Sequence, residues 1–241
     1  MFTNMENNEV FHFIGRPDGL GNRIEELINI QEFCETNNKK CVYIWNNSQA
    51  RKYDIFIHFD NIKIQKTFIE EEKKKFLKNC FLRSYEYIVK YQFNFNTKIN
   101  NNINYDAIIH IRATDRLVTN PHHNNYSTEL HLVNLMNKTI DYINNDDSIK
   151  TYTIVTDDIH RKNIKSRINK KYVELLYDYD IHKDYLDFYY LINPSKYVLM
   201  CSQFSSYSIT ASILGNKPLL VFKTSLNSNL PRYKANIKII D

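Results

Sequence analysis

Short apolar runs alternate with longer amphipathic stretches along most of the chain. Runs such as "VFHFI" and "CVYIW" have the length and residue types of strands, whereas "IEELINIQEFCETNN" repeats its apolar residues at helical spacing. In the first part of the chain, the pattern predicts strands over residues 9–15, 41–45 and 53–59, a helix over 24–38, and a mostly helical segment over 70–91. Strands that alternate with helices favour a parallel sheet with helical crossovers.

The same alternation resumes after a polar, Asn-rich interruption, "NFNTKINNNINYD", that cannot pack a core. Beyond it, we predict strands over residues 107–111, 151–158, 172–177, 196–202 and 217–223, and helices over 130–143, 161–169, 183–193 and 205–215. The chain is therefore predicted to be α/β, with two Rossmann-like domains whose parallel sheets face each other across a cleft. Their bounds are 1–95 and 106–241, joined by a linker over 96–105.

Composition narrows the class of protein. The chain has 241 residues, of which 43% are hydrophobic and 14% aromatic, so it is too apolar to be disordered. A net charge of +5, interspersed with 27 acidic residues, suits an anionic ligand, and no RNA-binding motif such as RNP1 is found, so we predict no nucleic-acid partner. No apolar run approaches the ~18 residues of a membrane span, and residues 1–15 show no basic region followed by an apolar stretch. We expect a soluble, cytoplasmic protein without a membrane span.

The four cysteines, Cys34, Cys41, Cys80 and Cys201, lie far apart without a CxxC pair. This spacing supports neither a zinc ribbon nor a disulfide framework, so we expect buried, reduced thiols. No HExxH motif accompanies the histidines, and we predict no metal site.

A glycine loop follows the first predicted strand. Gly19 and Gly21 permit a close backbone approach, and Asn22 and Arg23 open the next helix, whose N-terminal N–H groups suit an anion. Because the loop lacks the third glycine of the dinucleotide fingerprint and the lysine of a P-loop, a plain tight turn explains it equally well.

Charged residues crowd the end of the predicted strand at 107–111. The segment "HIRATDR" carries His110, Arg112 and Asp115, and on an extended strand His110 and Arg112 project to the same side. Ionisable groups at the carboxyl end of a strand in an α/β protein face the crevice where ligands bind, and a guanidinium can grip a phosphate through two hydrogen bonds. A surface salt bridge between Arg112 and Asp115 is the alternative.

Two later strands end in further polar residues. Asp157 and Asp158 follow "YTIVT" and could bind ribose hydroxyls or base N–H groups, although one of them could equally cap the next helix. Ser202, Ser205 and Ser206 lie between a predicted strand and helix, where hydroxyls and helical N–H groups make a diphosphate cradle. A simple serine N-cap is the alternative for this segment.

Together, these segments resemble the GDP-fucose-dependent fucosyltransferase superfamily, which contains α1,2-, α1,6- and protein O-fucosyltransferases. "GLGNR" is similar to the family's N-terminal glycine loop, "HIRATDR" to its HxRRTDK-like donor motif, and "CSQFSSYSITA" to its SSFS-like motif, in the same order. Asp187 lies where the family places an aspartate that reads guanine. The resemblance implies a GT-B fold and an inverting, metal-independent transferase without a cofactor. Its donor would be GDP-fucose and its acceptor a glycan or protein hydroxyl.

The resemblance also implies residue roles. Arg112 would be catalytic, since it would neutralise the β-phosphate of the leaving GDP. The residues implied to bind the donor are Gly19, Gly21, Asn22, Arg23, His110, Arg112, Asp115, Asp157, Asp187, Phe204, Ser205 and Ser206. No catalytic base is evident, and Asp18, Asp115 and His122 are candidates by position.

One residue departs from the family's pattern, because Ala113 stands where the family has a second arginine. This departure leaves the donor sugar open. Two alternatives therefore remain: a catalytically silent GT-B-like binding module, and a glycosyltransferase that uses another nucleotide sugar.

Overall fold

The computed structural model describes residues 10–15, 19–45, 59–65, 77–78, 103–112, 129–156, 158–177, 183–202, 205–223 and 236–241. The chain divides into two compact units, Met1–Ile99 and Asn100–Asp241. Each unit contains its own parallel β-sheet. The protein is therefore α/β with parallel sheets, and the division falls within the segment 96–105 that the sequence predicts to be a linker.

The N-terminal unit is built on a strand–helix–strand crossover. Its described elements are β1 (Val10–Ile14), α1 (Leu20–Thr36), β2 (Lys40–Ile44), β3 (Ile62–Gln65) and β4 (Leu77–Lys78). The strands lie in the order β3-β2-β1-β4, and every pairing is parallel. The crossover through α1 joins β1 to its neighbour β2, as expected for adjacent parallel strands.

Apolar spacing explains α1. Leu20, Ile24, Leu27 and Ile28 repeat at intervals of three and four residues, and all four are buried. The helix thus begins four residues before the predicted start at residue 24. It ends at Thr36, where Asn37 and Asn38 leave the helix and Asn38 adopts a left-handed φ of 50°.

Two predictions for the N-terminal unit differ from the structure. Of the strand predicted over 53–59, only Phe59 is described, in an isolated bridge to Ile62, and the described third strand is β3 at Ile62–Gln65. The helix predicted over 70–91 is wrong at its two described residues, since Leu77–Lys78 pairs with β1 as β4. In both places the partner strand decides the conformation, which periodicity along the chain cannot report.

The C-terminal unit continues the alternation of strands and helices. Its described elements are β5 (Ala107–His110), α2 (Glu129–Asn145), β6 (Thr151–Val155), α3 (Asp158–Lys165), β7 (Lys171–Tyr172), α4 (Lys183–Ile192), β8 (Tyr197–Met200), α5 (Ser206–Leu214), β9 (Leu219–Phe222) and β10 (Ile237–Ile240). The strands lie in the order β10-β9-β8-β5-β6-β7, all parallel. If these strands are counted in chain order, the arrangement is the 3-2-1-4-5-6 order of doubly wound nucleotide-binding sheets, so the unit is compatible with a Rossmann-like fold.

Helices cover both faces of this sheet. On one face, α2 and α3 pack against alternate strand residues such as Ala107, Ile109 and Leu199 in one apolar cluster. On the other face, α4 and α5 contact each other and the strands β5, β8 and β9. The remaining strand residues, Ile108 and His110 among them, therefore face α4 and α5.

Asp106 ties the amino-terminal edge of the same sheet together. Its carboxylate accepts hydrogen bonds from the backbone N–H groups of Lys150 and Thr151, at 2.8 and 3.0 Å, and from the Ser195 hydroxyl at 3.1 Å. Burial raises the pKa of this carboxyl, but the hydrogen bonds and the nearby Lys196 charge outweigh burial and lower the pKa overall. The starts of β5, β6 and β8 are thereby held in one register.

Predicted strands in the C-terminal unit differ from the structure at the sheet's two ends. Of the strand predicted over 172–177, only Tyr172 lies in a strand, β7 (Lys171–Tyr172), which pairs with β6. The edge strand β10 at Ile237–Ile240 was not predicted, and it exists because its backbone pairs with β9. The inner strands β5, β6, β8 and β9 are confirmed, with ends that shift by a few residues.

Candidate functional site

The strand order reverses between β5 and β8, which lie side by side in the middle of the C-terminal sheet. His110 ends β5 opposite Met200 at the end of β8, and the Cys201 N–H donates to the His110 carbonyl at 2.9 Å. In open α/β sheets, ligands bind in the crevice outside the carboxyl ends of the strands at such a reversal. The polar residues that follow β5 and β8 therefore form the candidate site.

Buried hydroxyls without a partner lie at this edge. Ser205 is the N-cap of α5, in extended conformation with φ −143° and ψ 107°, and its side chain makes no capping hydrogen bond. The hydroxyls of Ser205, Ser202 and Thr156 are buried without a hydrogen-bond partner in the part of the chain that the structure describes. Ser202 and Ser205 follow β8 and Thr156 follows β6, on either side of β5. Because an unsatisfied buried hydroxyl costs about 1 to 3 kcal/mol, these groups favour a ligand that offers acceptor or donor atoms.

Residues of α5 contact the His110 ring and fix its position. Its ring Nδ1 forms a hydrogen bond with the Ser208 hydroxyl, and its ring centroid lies 5.4 Å from that of Tyr207. The Tyr207 hydroxyl donates to the Asp184 carbonyl of α4, and Phe188 packs edge-on against the Tyr207 ring at 5.1 Å. The side chain that ends β5 thus belongs to an ordered group with the first turns of α4 and α5.

Arg112 follows β5 directly. The preceding residue, Ile111, extends the pairing by donating its N–H to the Val155 carbonyl at 3.0 Å, which places Arg112 at the carboxyl edge beside β6. The Arg112 side chain is partly exposed. A guanidinium in this position is close enough to solvent to receive a charged ligand and is anchored by the strand beneath it.

Asp187, predicted to read guanine, lies on α4 with only 6% of its surface exposed. Its Oδ1 accepts a hydrogen bond from the Tyr177 hydroxyl at 2.6 Å, and its Oδ2 forms an ion pair with Lys183. Burial raises the pKa of this carboxyl more than Lys183 and Tyr177 lower it. Both oxygens are therefore engaged by protein groups, and a base could bind them only by displacing one. Lys183, whose side chain is 51% exposed, is the more easily displaced.

The glycine loop of the N-terminal unit leads into a helix whose first residues are mostly buried within that unit. Gly19 is the N-cap of α1, with φ −64° and ψ 163°, and Gly21 is buried in the first turn beside the half-buried Asn22. Arg23 is 1% exposed, and its guanidinium carbon lies 4.9 Å from the centroid of the Trp45 ring. Arg23 therefore packs inside its own unit.

The remaining predicted site residues, Asp18, Asp115, His122, Asp157 and Phe204, lie outside the described residues, as does Ala113. Thr156 belongs to the segment Thr156–Asp158 that the sequence singles out at the end of a predicted strand. Residues that the sequence did not single out for this edge are Tyr177, Lys183, Tyr207 and Ser208. Sequence signals existed for two of them, because Lys183 lies four residues before Asp187 and Ser208 three residues after Ser205.

Other kinds of site are not apparent in the described ranges. No group of three or more His, Cys, Asp and Glu side chains there could hold a metal ion. Cys34, Cys41 and Cys201 are buried, as predicted, and Cys80 lies outside the described residues. Two surface depressions, one beside β2 and β3 and one beside α2, contain none of the predicted site residues. None of the described helices is long and apolar enough to span a membrane.

Comparisons with protein-family models, with curated proteins and with solved structures found no match to this chain. The function must therefore be argued from the residues of the site and from the chemistry that they can perform.

Proposed function

We propose that the chain is a GT-B glycosyltransferase that moves fucose from GDP-fucose to a hydroxyl of a glycan or protein, with inversion and without a metal ion. The observation that carries the proposal is the buried Ser205 hydroxyl at the start of α5, which has no partner among the described residues. Such a hydroxyl at the reversal between β5 and β8 suits a bound diphosphate. The resemblance of three segments to fucosyltransferases supplies the sugar and the base.

The diphosphate would lie at the N-terminus of α5. The first turn of this nine-residue helix presents N–H groups without a partner in the helix and the positive end of the helix dipole, and Ser202 and Ser205 add two hydroxyl donors. Phosphate oxygens would satisfy these hydroxyls, which have no partner among the described residues. A neutral sugar alone would not use the helix dipole.

Arg112 would act on the leaving group. When the glycosyl bond breaks, negative charge grows on the β-phosphate, and a guanidinium that meets this charge stabilises the transition state more than the ground state. The partly exposed position of Arg112 after β5 suits this role. A preorganised cation of this kind can replace a divalent metal.

The nucleobase of the donor could be guanine or another base. Guanine offers a pair of N–H donors to a carboxylate, but both oxygens of Asp187 are bound by Tyr177 and Lys183. This occupancy favours a nucleotide sugar with another base, unless Lys183 is displaced when guanine binds. Titration of the full chain with GDP, UDP and ADP separates the two donors, because tightest binding of GDP supports guanine and tightest binding of another diphosphate contradicts it.

The N-terminal unit would serve the acceptor, as in a GT-B enzyme. A catalytically silent binding module would bind the donor without turnover. Hydrolysis of GDP-fucose by the full chain distinguishes the two, since a binding module releases no fucose. If EDTA abolishes an observed activity, the donor diphosphate is held by a metal and the metal-independent class is wrong.

The diphosphate site is tested by calorimetric titration of the full chain with GDP. Ser205→Ala removes the hydroxyl that carries the proposal, and it should weaken binding roughly tenfold to a hundredfold, as for a hydrogen bond to a charged group. Ser212→Ala is the matched control, because Ser212 is a buried serine of the same helix whose hydroxyl donates to the Ile209 carbonyl at 3.0 Å. Equal GDP affinity in Ser205→Ala and wild type would remove Ser205 from the site. Failure of every nucleoside diphosphate to bind would overturn the function.

A further inference from the structure

Ser208 and His110 form a buried pair whose single shared hydrogen can be located. Ser208 is fully buried in α5, and the His110 Nδ1 is the hydrogen-bond partner of its hydroxyl within the described residues. Ser212, one turn further along α5, instead donates to the carbonyl of Ile209 at 3.0 Å.

The hydroxyl hydrogen of Ser208 therefore points to Nδ1. A buried donor without an acceptor is costly, and within the described residues Nδ1 is the atom with which the Ser208 hydroxyl forms a hydrogen bond. A neutral imidazole carries one N–H, so a ring whose Nδ1 accepts a hydrogen bond has its proton on Nε2. Ser208 thus selects one tautomer of His110.

We propose that Ser208 and Tyr207 are positioning residues that hold His110 as the Nε2–H tautomer, so that His110 donates this N–H to an oxygen of the bound nucleoside diphosphate. Tyr207 fixes the plane of the ring, because it packs against His110 and is itself anchored to α4 through the Asp184 carbonyl and Phe188. Ser208 fixes the proton.

This assignment limits His110 to the donor-binding role that the resemblance implies. With Nδ1 bound to Ser208 and a proton on Nε2, the ring is a hydrogen-bond donor and not a general base for the acceptor hydroxyl. The catalytic base must then be another group, and Asp18, Asp115 and His122 remain the candidates. The tautomer is a property of the protein itself, whereas the contact with a diphosphate oxygen rests on the proposed function.

The tautomer is measured by NMR on the full chain labelled with ¹⁵N-histidine at pH 8, with His110→Gln to assign the signals. The ring ¹⁵N shifts of the wild type should show a protonated Nε2 and an unprotonated Nδ1. A protonated Nδ1 in the wild type overturns the proposal, whatever the variants do.

Ser208→Ala should give a mixture of tautomers, and Ser208→Thr, which keeps a hydroxyl, should restore the wild-type shifts. An unchanged tautomer in Ser208→Ala also overturns the proposal, and Ser212→Ala should leave the shifts unchanged.

The ligand contact is measured by GDP titration of the same proteins. Ser208→Ala should weaken GDP binding roughly threefold to tenfold, and Ser208→Thr should restore it, because one hydrogen-bond donor is misplaced and not removed. In steady-state assays with GDP-fucose, the donor KM should rise more than kcat falls. If the wild type binds GDP and Ser208→Ala binds it equally well, the contact is wrong while the proposed function stands. If no nucleoside diphosphate binds the wild type, the proposed function and the contact fail together, and the NMR result alone decides the tautomer.

Discussion

Two segments of the molecule occupy equivalent places and use their residues differently. Each joins a parallel strand to the following helix: residues 15–19 lead from β1 to α1, and residues 201–205 lead from β8 to α5. In the first, Gly19 caps the helix without a side chain, and Arg23 in the first turn packs on Trp45. In the second, Ser205 occupies the capping position, but its buried hydroxyl has no partner among the described residues.

The difference teaches that a polar residue at a helix start is informative only when its contacts are known. In the N-terminal unit, two buried polar side chains of α1 have partners within the unit, since the Tyr43 hydroxyl donates to Glu26 and Arg23 lies against the Trp45 ring. In the C-terminal unit, the buried hydroxyls of Ser202, Ser205 and Thr156 have no hydrogen-bond partner among the described residues. We therefore expect mutations in the first segment to change stability, and mutations around the second to change binding and turnover.

The largest expected effect falls on turnover at Arg112. Arg112→Lys keeps the charge but loses the planar pair of N–H donors, so kcat should fall roughly a hundredfold or more while the donor KM changes far less. Arg112→Ala should be at least as impaired. The measurement is steady-state transfer or hydrolysis of GDP-fucose without divalent metal. Wild-type rates in Arg112→Ala would remove this residue from the mechanism.

A pair of glycines tests how tightly each unit is packed. A Cβ at Gly215 would lie 2.1 Å from the Ile192 carbonyl oxygen, and a Cβ at Gly15 would lie 2.2 Å from the hydroxyl and 2.3 Å from the Cζ of Tyr43, whose buried ring is hydrogen-bonded to Glu26. Because neither neighbour can move aside cheaply, Gly215→Ala and Gly15→Ala should each lower the free energy of unfolding by about 2 to 3 kcal/mol. Urea denaturation followed by circular dichroism measures both, and an effect within about 0.5 kcal/mol of zero in either variant would contradict the packing described here.

We expect Arg23 to contribute to stability, whereas we expect Arg112 to contribute to turnover. Arg23→Ala removes a buried cation from the face of Trp45 and should lower the free energy of unfolding by about 1 to 2 kcal/mol. Trp45 is the single tryptophan of the chain, so its fluorescence during urea denaturation reports on the N-terminal unit. Arg167→Ala, at an exposed position, is the control and should have an effect within about 0.5 kcal/mol of zero. A loss of GDP binding in Arg23→Ala at unchanged stability would instead place Arg23 at the donor.

The smallest effect is expected at the opposite edge of the C-terminal sheet. Because the pKa of Asp106 is lowered in the folded protein, its carboxylate contributes stability above its unfolded pKa and loses that contribution as the pH falls through the folded value. Asp106→Asn should therefore cost about 1 kcal/mol at pH 7 and progressively less below the ordinary aspartate range. Thermal melts from pH 7 to pH 2 measure this, with the exposed Asp147→Asn as control. A difference from wild type that is constant with pH would show that the carboxylate charge is irrelevant.

Much of the fold follows from local pattern. The strands β1, β2, β5, β6, β8 and β9 were predicted because they are short, mostly apolar runs, and the helices between them because their apolar residues repeat at a period of 3.6. The strands β3, β4, β7 and β10 were missed or misplaced. Each contains a lysine instead of a continuous apolar run, and they are strands because a neighbouring backbone pairs with them.

For the candidate site, the chain itself determined where polar residues follow buried strands, and this placed His110, Arg112 and Ser205 at strand or helix ends, whereas Asp187 was predicted from the resemblance alone. Only the tertiary structure decided which distant side chains make contact: Ser208 binds His110, Tyr177 binds Asp187, and Trp45 covers Arg23. The physical reason is the range of the forces involved. Apolar periodicity acts between neighbours in sequence, whereas hydrogen bonds and ion pairs join residues that lie 98 positions apart for His110 and Ser208 and meet only when the sheet has formed.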